Sequence, residues 1–269
     1  MAASRIVIKV GSSSLTDESG CLSEKKLSNL TKQISYIQTF CNAQVVLVSS
    51  GAIACGRNKL GWLKRDITLA EKQAAAAVGQ GVLMNMYEEM FAKEGIVIAQ
   101  VLLTKADVQD SLHIRNIERT MNTLLSHSVI PIVNENDTVA VDEIRFGDND
   151  TLSSLVARLI LAHKLILLTD IDGLYTANPR QNGDAKRIDE VFEITRSMEK
   201  NASSATSSVG TGGMKTKLHA AKLAVEQGTD VVIASSSEPN VIPRILSGER
   251  IGTLFHSKRP EKAVIQAVE

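Results

Sequence analysis

The stretch Arg5-Ile-Val-Ile-Lys-Val-Gly-Ser-Ser-Ser14 decides the fold class of this chain. Its first part is apolar at nearly every position and rich in β-branched residues, which is typical of a parallel strand buried on both faces. The small residues from Gly11 to Ser14 then form a short turn that leads toward a helix, where backbone N–H groups can point at a phosphate. The stretch therefore predicts a buried strand that ends at an anion-binding turn.

The same pattern recurs along the chain. Short β-branched runs alternate with longer segments whose apolar residues recur at intervals of three and four. This alternation predicts an α/β fold, a three-layer α/β/α sandwich around a mainly parallel open sheet. The predicted strands are Arg5–Val10, Gln44–Ser49, Ile96–Leu103, Val129–Asn134, Lys164–Thr169 and Thr229–Ser235. The predicted helices are Leu27–Cys41 with Ser23 as N-cap, Leu69–Lys93, Leu112–Ser126, Thr151–Ala162 and Lys215–Gln227.

Two segments depart from this alternation. Residues 139–146 read as a short hairpin, and the Ser/Thr/Gly-rich residues 201–213 read as a loop. Neither resembles a linker that divides the chain, so we expect one domain.

Composition narrows the range of functions. The 269 residues contain 30 Lys and Arg and 30 Asp and Glu, so the formal net charge is zero. The chain therefore lacks the excess of basic residues expected of a general nucleic-acid or anionic-membrane binder. No apolar run approaches the ~18 residues of a membrane helix, and the first residues carry no hydrophobic signal region, so we expect a cytoplasmic protein. Three Cys and five scattered His argue against a disulfide framework or a transition-metal site, and we expect no protein-held metal.

Polar and glycine-rich strings follow the predicted strands. Ligands of open parallel sheets bind beyond the carboxyl ends of the strands, so these strings should converge on one site. Turn chemistry alone explains any one of them, and their convergence is what indicates function. The strings are Lys9-Val-Gly-Ser-Ser-Ser14, Ser49-Ser-Gly-Ala-Ile53, Asn134-Glu-Asn-Asp137, Thr169-Asp-Ile-Asp-Gly173 and Gly210-Thr-Gly-Gly-Met-Lys-Thr-Lys217.

Two lysines stand at unusual places in these strings. Lys9 interrupts an apolar strand, where an ammonium is costly unless an anion meets it. Lys217 falls early in a predicted helix, where a cation opposes the helix dipole. We expect both to bind an anion. The alternatives are that Lys9 points outward from an edge strand, and that Lys217 or its neighbour Lys215 is merely solvated.

An acidic cluster has three possible roles. Asp148, Asp150, Glu135 and Asp137 have the oxygen ligands that suit Mg²⁺, and they also suit a ligand ammonium. Asp150 alone is equally explained as the cap of the helix beginning near Thr151.

Together these strings, with Phe146-Gly-Asp-Asn-Asp150 and Gly173-Leu-Tyr-Thr-Ala-Asn-Pro179, closely resemble the glutamate-phosphorylating branch of the amino acid kinase family. The resemblance extends to Gly252-Thr-Leu-Phe-His256 and departs at Ser49, where Thr is expected. It implies an amino acid kinase domain over residues 1–258 and a tail over 259–269. Many members continue into a C-terminal domain of RNA-binding type, which we expect to be absent.

The resemblance also implies an activity. It is ATP-dependent phosphorylation of the γ-carboxylate of L-glutamate, the first step of proline synthesis, with Mg²⁺ required and proline as feedback inhibitor. It further implies a homo-oligomer and functional coupling to the glutamyl phosphate reductase. By motif position, Ser50, Asp137 and Asn149 would bind glutamate. The residues that would bind ATP are Lys9, Thr169, Asp170, Thr211, Gly212, Gly213, Met214, Lys215, Thr216 and Lys217. Lys9, Lys217 and Asp150 would be catalytic, with Asp150 organising the two lysines.

The chemistry of a carboxylate acceptor agrees with this assignment. A γ-carboxylate is ionised at neutral pH, so transfer needs positioned cations rather than a general base. Asp137 suits the ammonium of the amino acid, and Asn149 with the Ser50 region suits its α-carboxylate. The alternatives are a family member acting on aspartate, N-acetylglutamate, carbamate or a nucleoside monophosphate, a non-catalytic amino acid sensor, and a Rossmann-type dehydrogenase. The last is weakened because no G-x-G-x-x-G fingerprint is present.

Overall fold

A computed structural model of the chain describes residues 3–63, 65–139, 149–179, 181–204 and 213–257. Its strands are β1 (Ser4–Val10), β2 (Ala43–Ser49), β3 (Ile98–Leu103), β4 (Ile130–Glu135), β5 (Lys164–Thr169), β6 (Leu174–Tyr175), β7 (Arg187–Ile188), β8 (Glu190–Val191), β9 (Asp230–Ser235) and β10 (Thr253–Phe255). Its helices are α1 (Ser12–Leu15), α2 (Glu24–Phe40), α3 (Ala52–Lys59), α4 (Leu69–Ala92), α5 (Ser111–Ser126), α6 (Asn149–Leu159), α7 (Arg196–Ser204), α8 (Met214–Glu226) and α9 (Val241–Leu246).

Among the described residues, the main sheet has eight strands in the order β3-β4-β2-β1-β5-β9-β10-β8. Only β10 runs antiparallel, against β9, and the other neighbouring pairs of this sheet are parallel. The six predicted strands correspond to β1, β2, β3, β4, β5 and β9, which are consecutive neighbours in the sheet. The predicted mainly parallel open sheet is therefore confirmed. The added edge strands β10 and β8 are three and two residues long, too short to show a pattern in the sequence.

Successive side chains of a strand point to opposite faces of the sheet and so pack in two separate hydrophobic cores. Ile6, Ile8 and Val10 of β1 pack in the core shared with α2, α3, α4 and α9. Val7 packs in the core shared with α5, α6 and α8 on the other face. Because side chains alternate along a strand, Lys9 shares the face of Val7 and is directed toward α6 and α8. The two helical layers make the fold the predicted three-layer sandwich.

The structure corrects three sequence-based interpretations. Lys9 does not point outward from an edge strand, because β1 is central and Lys9 is only 5% exposed. Helix α6 begins at Asn149, so Asp150 lies inside its first turn rather than capping a helix that starts at Thr151. The predicted loop over residues 201–213 is wrong for 201–204, which are helical in α7. The predicted hairpin lies, except for Val139, outside the described residues. Every helix among the described residues is too short or too polar to cross a lipid bilayer.

Helices α3 and α4 cross at two glycines. A Cβ on Gly56 would overlap the backbone of Ala75, and a Cβ on Gly79 would overlap the carbonyl oxygen of Ala52. The absence of these side chains lets the two backbones touch, and α4 therefore lies against the first turn of α3, immediately after the end of β2.

We expect Gly79→Ala to destabilise the fold by about 2–4 kcal/mol, because the added methyl group forces two packed helices apart. Gly81→Ala is the matched control on the same helix, since a Cβ there meets nothing within 4 Å. That variant should be stabilised by about 0.5–1 kcal/mol through helix propensity. Urea unfolding measures both, and equal effects of the two substitutions would contradict the close crossing.

Candidate active site

One large cavity, of about 1090 Å³, opens at the carboxyl ends of the parallel strands. Its volume is just above the ~300–1,000 Å³ typical of a site for one small molecule, so it has room for two substrates. The residues after β1, β2, β4 and β5 all reach it, which is the convergence predicted from the sequence. Residues of the polar strings and of the predicted site that line it include Lys9, Gly11, Ser50, Asn134, Asp137, Asn149, Thr169, Asp170, Gly213, Met214 and Lys217.

A buried ion cluster lies at the floor of this cavity. Lys9 Nζ is 2.5 Å from Asp150 Oδ1, and Lys217 Nζ is 3.2 Å from Asp150 Oδ2. Thr216 donates a hydrogen bond of 2.9 Å to Asp150 Oδ2. Lys9 and Lys217 are each 5% exposed, and Asp150 is fully buried. Asp150 is thus the anion that meets both lysines at the cavity floor.

Asp150 remains ionised in this environment. Burial by itself raises the pKa of the carboxyl, but the ammonium groups of Lys9 and Lys217 more than offset that effect, so the pKa lies below its ordinary value. The helix dipole acts in the same direction, because Asp150 is in the first turn of α6. A carboxylate held by two lysines is a fixed counter-ion, and this arrangement is unsuited to a general base.

Polar groups from three elements meet at the end of the cavity formed by β2 and β4. Asn149 Nδ2 lies within 2.8–2.9 Å of the Ser49 carbonyl, Ser50 Oγ and Asn134 Oδ1. Gly51, with φ of 110°, turns the chain from β2 into α3 and so presents Ser50 to the cavity. Asp137, two residues after β4, lines the same region. The structure therefore brings together the three residues predicted to bind the amino acid.

The opposite end of the cavity is formed after β5 and at the start of α8. Thr169 donates a hydrogen bond of 3.0 Å to Asp170, and both residues line the cavity with Gly213 and Met214. Thr216 contacts Asp150 without lining the cavity, and Lys215 is exposed and also outside the lining. Thr211 and Gly212 lie outside the described residues. This end of the cavity brings together part of the predicted nucleotide set.

Three polar residues of this region were not among the predicted site residues. Asn134 is almost fully buried at the end of β4 and binds Asn149. Gln80 and Tyr87 of α4 contact Asn134 and Ser49, respectively. Asn134 could have been found from its position in the string after the fourth predicted strand. Gln80 and Tyr87 carry no such signal, because they lie within a long helix far from any turn.

The family relationship agrees with this geometry. The sequence model of the amino acid kinase family matches residues 4–235. A protein of Clostridium acetobutylicum named glutamate 5-kinase is 50% identical over 254 residues, which cover 94% of this chain and 95% of that protein. A protein of Clostridium perfringens with the same name is 48% identical and covers 96% of this chain and 97% of its own length. One from Moorella thermoacetica is 51% identical, and 67% of its length is matched.

Solved structures show the same architecture at low sequence identity. UMP kinase from Ureaplasma parvum has a TM-score of 0.63 with 16% identity and covers 96% of this chain and 100% of that one. UMP kinase from Bacillus anthracis has a TM-score of 0.62 with 16% identity, over 95% of this chain and 96% of that one. This likeness concerns the fold alone. The family match over most of the chain, together with relatives that share about half of its residues, shows that the chain belongs to the amino acid kinase family.

Proposed function

We propose that this chain transfers the γ-phosphoryl group of ATP to the γ-carboxylate of L-glutamate, forming L-glutamyl 5-phosphate in the first step of proline biosynthesis. The observation that carries the proposal is the cluster of Lys9, Asp150 and Lys217 between the two ends of one cavity. Relatives named glutamate 5-kinase, which share 48–50% of aligned residues over 94–96% of the chain, support glutamate as the acceptor.

The chemistry of the acceptor fits a site without a general base. A γ-carboxylate has a reference pKa of about 4.3 and is already ionised at neutral pH, so no proton has to be removed. One of its oxygens forms a bond to the γ-phosphorus while the bond from phosphorus to the β,γ-bridging oxygen breaks, and ADP leaves with that electron pair. The site has to bring two anions together and to balance the charge on the transferring group.

Lys9 and Lys217 are placed to balance that charge. They come from different elements, β1 and α8, and converge on the two oxygens of Asp150. We assign them to the phosphoryl oxygens, which they would contact from two sides. Asp150 holds both ammonium groups in position before the substrates bind, so they need not be rearranged during the transfer.

ATP brings Mg²⁺ into this cavity, where the ion would neutralise charge on the phosphates. The described residues contain no group of three His, Cys, Asp or Glu side chains arranged to hold a metal ion. Mg²⁺ bound to nucleotides keeps several waters and needs only one or two carboxylates beside the phosphates. The exposed Asp170 at the nucleotide end of the cavity fits that role, with the triphosphate supplying the other ligands.

The hydrogen bonds around Asn149 favour a revised role for its side chain. Its Nδ2 group faces three acceptors, and its buried Oδ1 has no hydrogen-bond partner among the described residues. The free group is therefore an acceptor. We assign Asn149 Oδ1, together with Asp137, to the ammonium of glutamate, in place of the α-carboxylate predicted from the sequence. Ser50 remains assigned to the amino acid.

The nucleotide is assigned to the other end of the cavity. We assign Thr169, Asp170 and residues 211–217 to ATP, with the start of α8 directed at its phosphates. The exposed position of Lys215 makes it the least supported member of this set. We also propose a cytoplasmic location, a homo-oligomer, inhibition by proline and coupling to the glutamyl phosphate reductase, which the family resemblance of the sequence implies.

The proposed substrate is tested by trapping the acyl phosphate. With Mg-ATP and L-glutamate, hydroxylamine should convert the product to a hydroxamate. N-acetylglutamate should react poorly because it has no ammonium to meet Asp137, and aspartate should react poorly because its carboxylate is one methylene short. A preference for either compound over glutamate would falsify the assignment.

Replacing Lys9 or Lys217 by Ala should lower kcat by two to three powers of ten, about 3–4 kcal/mol, by analogy with the loss of one oxyanion donor. Lys→Arg should also be severely impaired, because the planar guanidinium does not fit the position of a compact ammonium. Folding should persist, since Asp150 keeps the other lysine as counter-ion.

Lys222→Ala is the control for these variants. Lys222 lies on the same helix as Lys217 and also pairs with a carboxylate, Glu199, at 2.8 Å, but on the surface. Its kcat should equal that of the wild type. A folded Lys217→Ala enzyme with near-normal kcat would remove Lys217 from the mechanism.

Replacing Asp137 by Ala should raise the KM for glutamate by an amount equivalent to about 2–4 kcal/mol, because the ammonium loses its counter-ion in the site. The KM for ATP should barely change, which serves as the internal control. Steady-state kinetics with each substrate varied in turn separates the two. Equal losses for both substrates would place Asp137 in the nucleotide site or in the scaffold.

A further inference from the structure

A chain of three amide side chains connects α4 to the candidate site. Asn134 Nδ2 donates a hydrogen bond of 3.0 Å to Gln80 Oε1, and Asn149 Nδ2 donates one of 2.9 Å to Asn134 Oδ1. We call Gln80, Asn134 and Asn149 the amide chain. Because the backbone N–H of Glu135 also donates to Asn134 Oδ1, that oxygen accepts from two donors. The amide of Asn134 therefore has one orientation that satisfies all of these contacts.

A second link joins α4 to the same site through two hydroxyl groups, which we call the hydroxyl pair. Tyr87 Oη lies 2.8 Å from Ser49 Oγ, and Ser49 Oγ donates a hydrogen bond of 3.1 Å to the carbonyl of Ser50. A serine hydroxyl has a single proton, so Tyr87 is the donor to Ser49. Burial raises the pKa of the Tyr87 hydroxyl, which keeps its proton in place.

The geometry of α4 explains why it makes both links. Gln80 and Tyr87 are seven residues apart, about two helical turns, and therefore lie on one face of the helix. On β2, Ser49 lies on the same face as Val45 and Leu47. On β4, Asn134 lies on the same face as Ile130 and Ile132. These four apolar residues pack in the core that includes α4. One face of α4 thus contacts the ends of two neighbouring strands, β2 and β4.

Packing alone does not account for the polar groups at these positions. The Nε2 atom of Gln80 is buried without a hydrogen-bond partner among the described residues. A buried unsatisfied amide nitrogen costs stability, and an apolar side chain of the same length would avoid that cost. What Gln80 supplies is the accepting oxygen that orients Asn134. That orientation in turn directs the Nδ2 group of Asn149 inward and leaves its Oδ1 available to a ligand.

We propose that Gln80 and Tyr87 are positioning residues for the amino acid substrate. Gln80 acts through the amide chain to set which atom of Asn149 faces the substrate, and Tyr87 acts through the hydroxyl pair to hold the segment that carries Ser50. Both act on the acceptor end of the cavity, while neither contacts the ion cluster or the nucleotide end among the described residues. The inference rests on the proposed function and adds two residues to it.

The first test compares variants of Gln80 that keep its length. Gln80→Met removes the accepting oxygen and should raise the KM for glutamate about tenfold, with kcat within threefold and the KM for ATP within twofold of wild type. Gln80→Glu keeps an accepting oxygen and should retain the wild-type KM for glutamate within about threefold. Asn85→Ala is the control, because Asn85 is exposed on the same helix and binds only Glu89 among the described residues. Its kinetic constants should not change.

The second test is a double-mutant cycle on the hydroxyl pair. Tyr87→Phe keeps the buried ring, and Ser49→Ala removes the other half of the hydrogen bond. Each should raise the KM for glutamate about five- to tenfold, and the double variant should be no worse than the more impaired single variant. Ser49→Thr keeps the hydroxyl and should resemble the wild type. Additive effects would show that Tyr87 does not act through Ser49.

Three results would overturn the inference. They are an unchanged KM for glutamate in folded Gln80→Met and Tyr87→Phe, parallel losses in both KM values and kcat, and equal impairment of Gln80→Glu and Gln80→Met. Failure of the proposed function is a separate result, because it is read from the wild type. If the wild type prefers another acceptor, the same variants measured with that acceptor still decide the inference.

Discussion

The contact between one buried carboxylate and two buried ammonium groups organises the site. Without Asp150, Lys9 and Lys217 would be two buried like charges without their shared counter-ion, and removing one partner of a buried ion pair typically costs about 3–5 kcal/mol. With Asp150, both side chains are held at the cavity floor. These two ammonium groups lie at the place where the phosphoryl group is proposed to bind, in a chain whose formal net charge is zero.

The two faces of the sheet supply different parts of the site. Lys9 is directed toward the face covered by α6 and α8, which supply Asp150 and Lys217. Ser49 and Asn134 belong to the opposite face, where α4 supplies Tyr87 and Gln80. The two sets meet at the carboxyl ends of the strands through Asn149, which precedes Asp150 on α6 and binds Asn134. One helix start thus joins the ion cluster to the amino acid end.

Close helix packing is part of this arrangement. The crossing of α3 and α4 at Gly56 and Gly79 holds α4 against the segment that follows β2. Since packed interiors transmit small displacements, a shift of α4 would reach both Ser49 and Asn134. Val78, on the outer face of α4, is 39% exposed. The inner face carries Gln80 and Tyr87, which contact the acceptor end of the cavity.

The sequence by itself determined the order of the six central strands along the chain, their parallel character and the convergence of the polar strings at one edge. These features follow from local periodicity and from the general geometry of open parallel sheets. Tertiary structure decided which anion meets Lys9 and Lys217, and it made Asp150 an ion-pair partner instead of a helix cap. It also decided that Gln80 and Tyr87 belong to the site, across separations of 54 and 38 residues. Periodicity reports only which face of an element is buried, whereas the partner of a buried polar group depends on which other elements pack against that face.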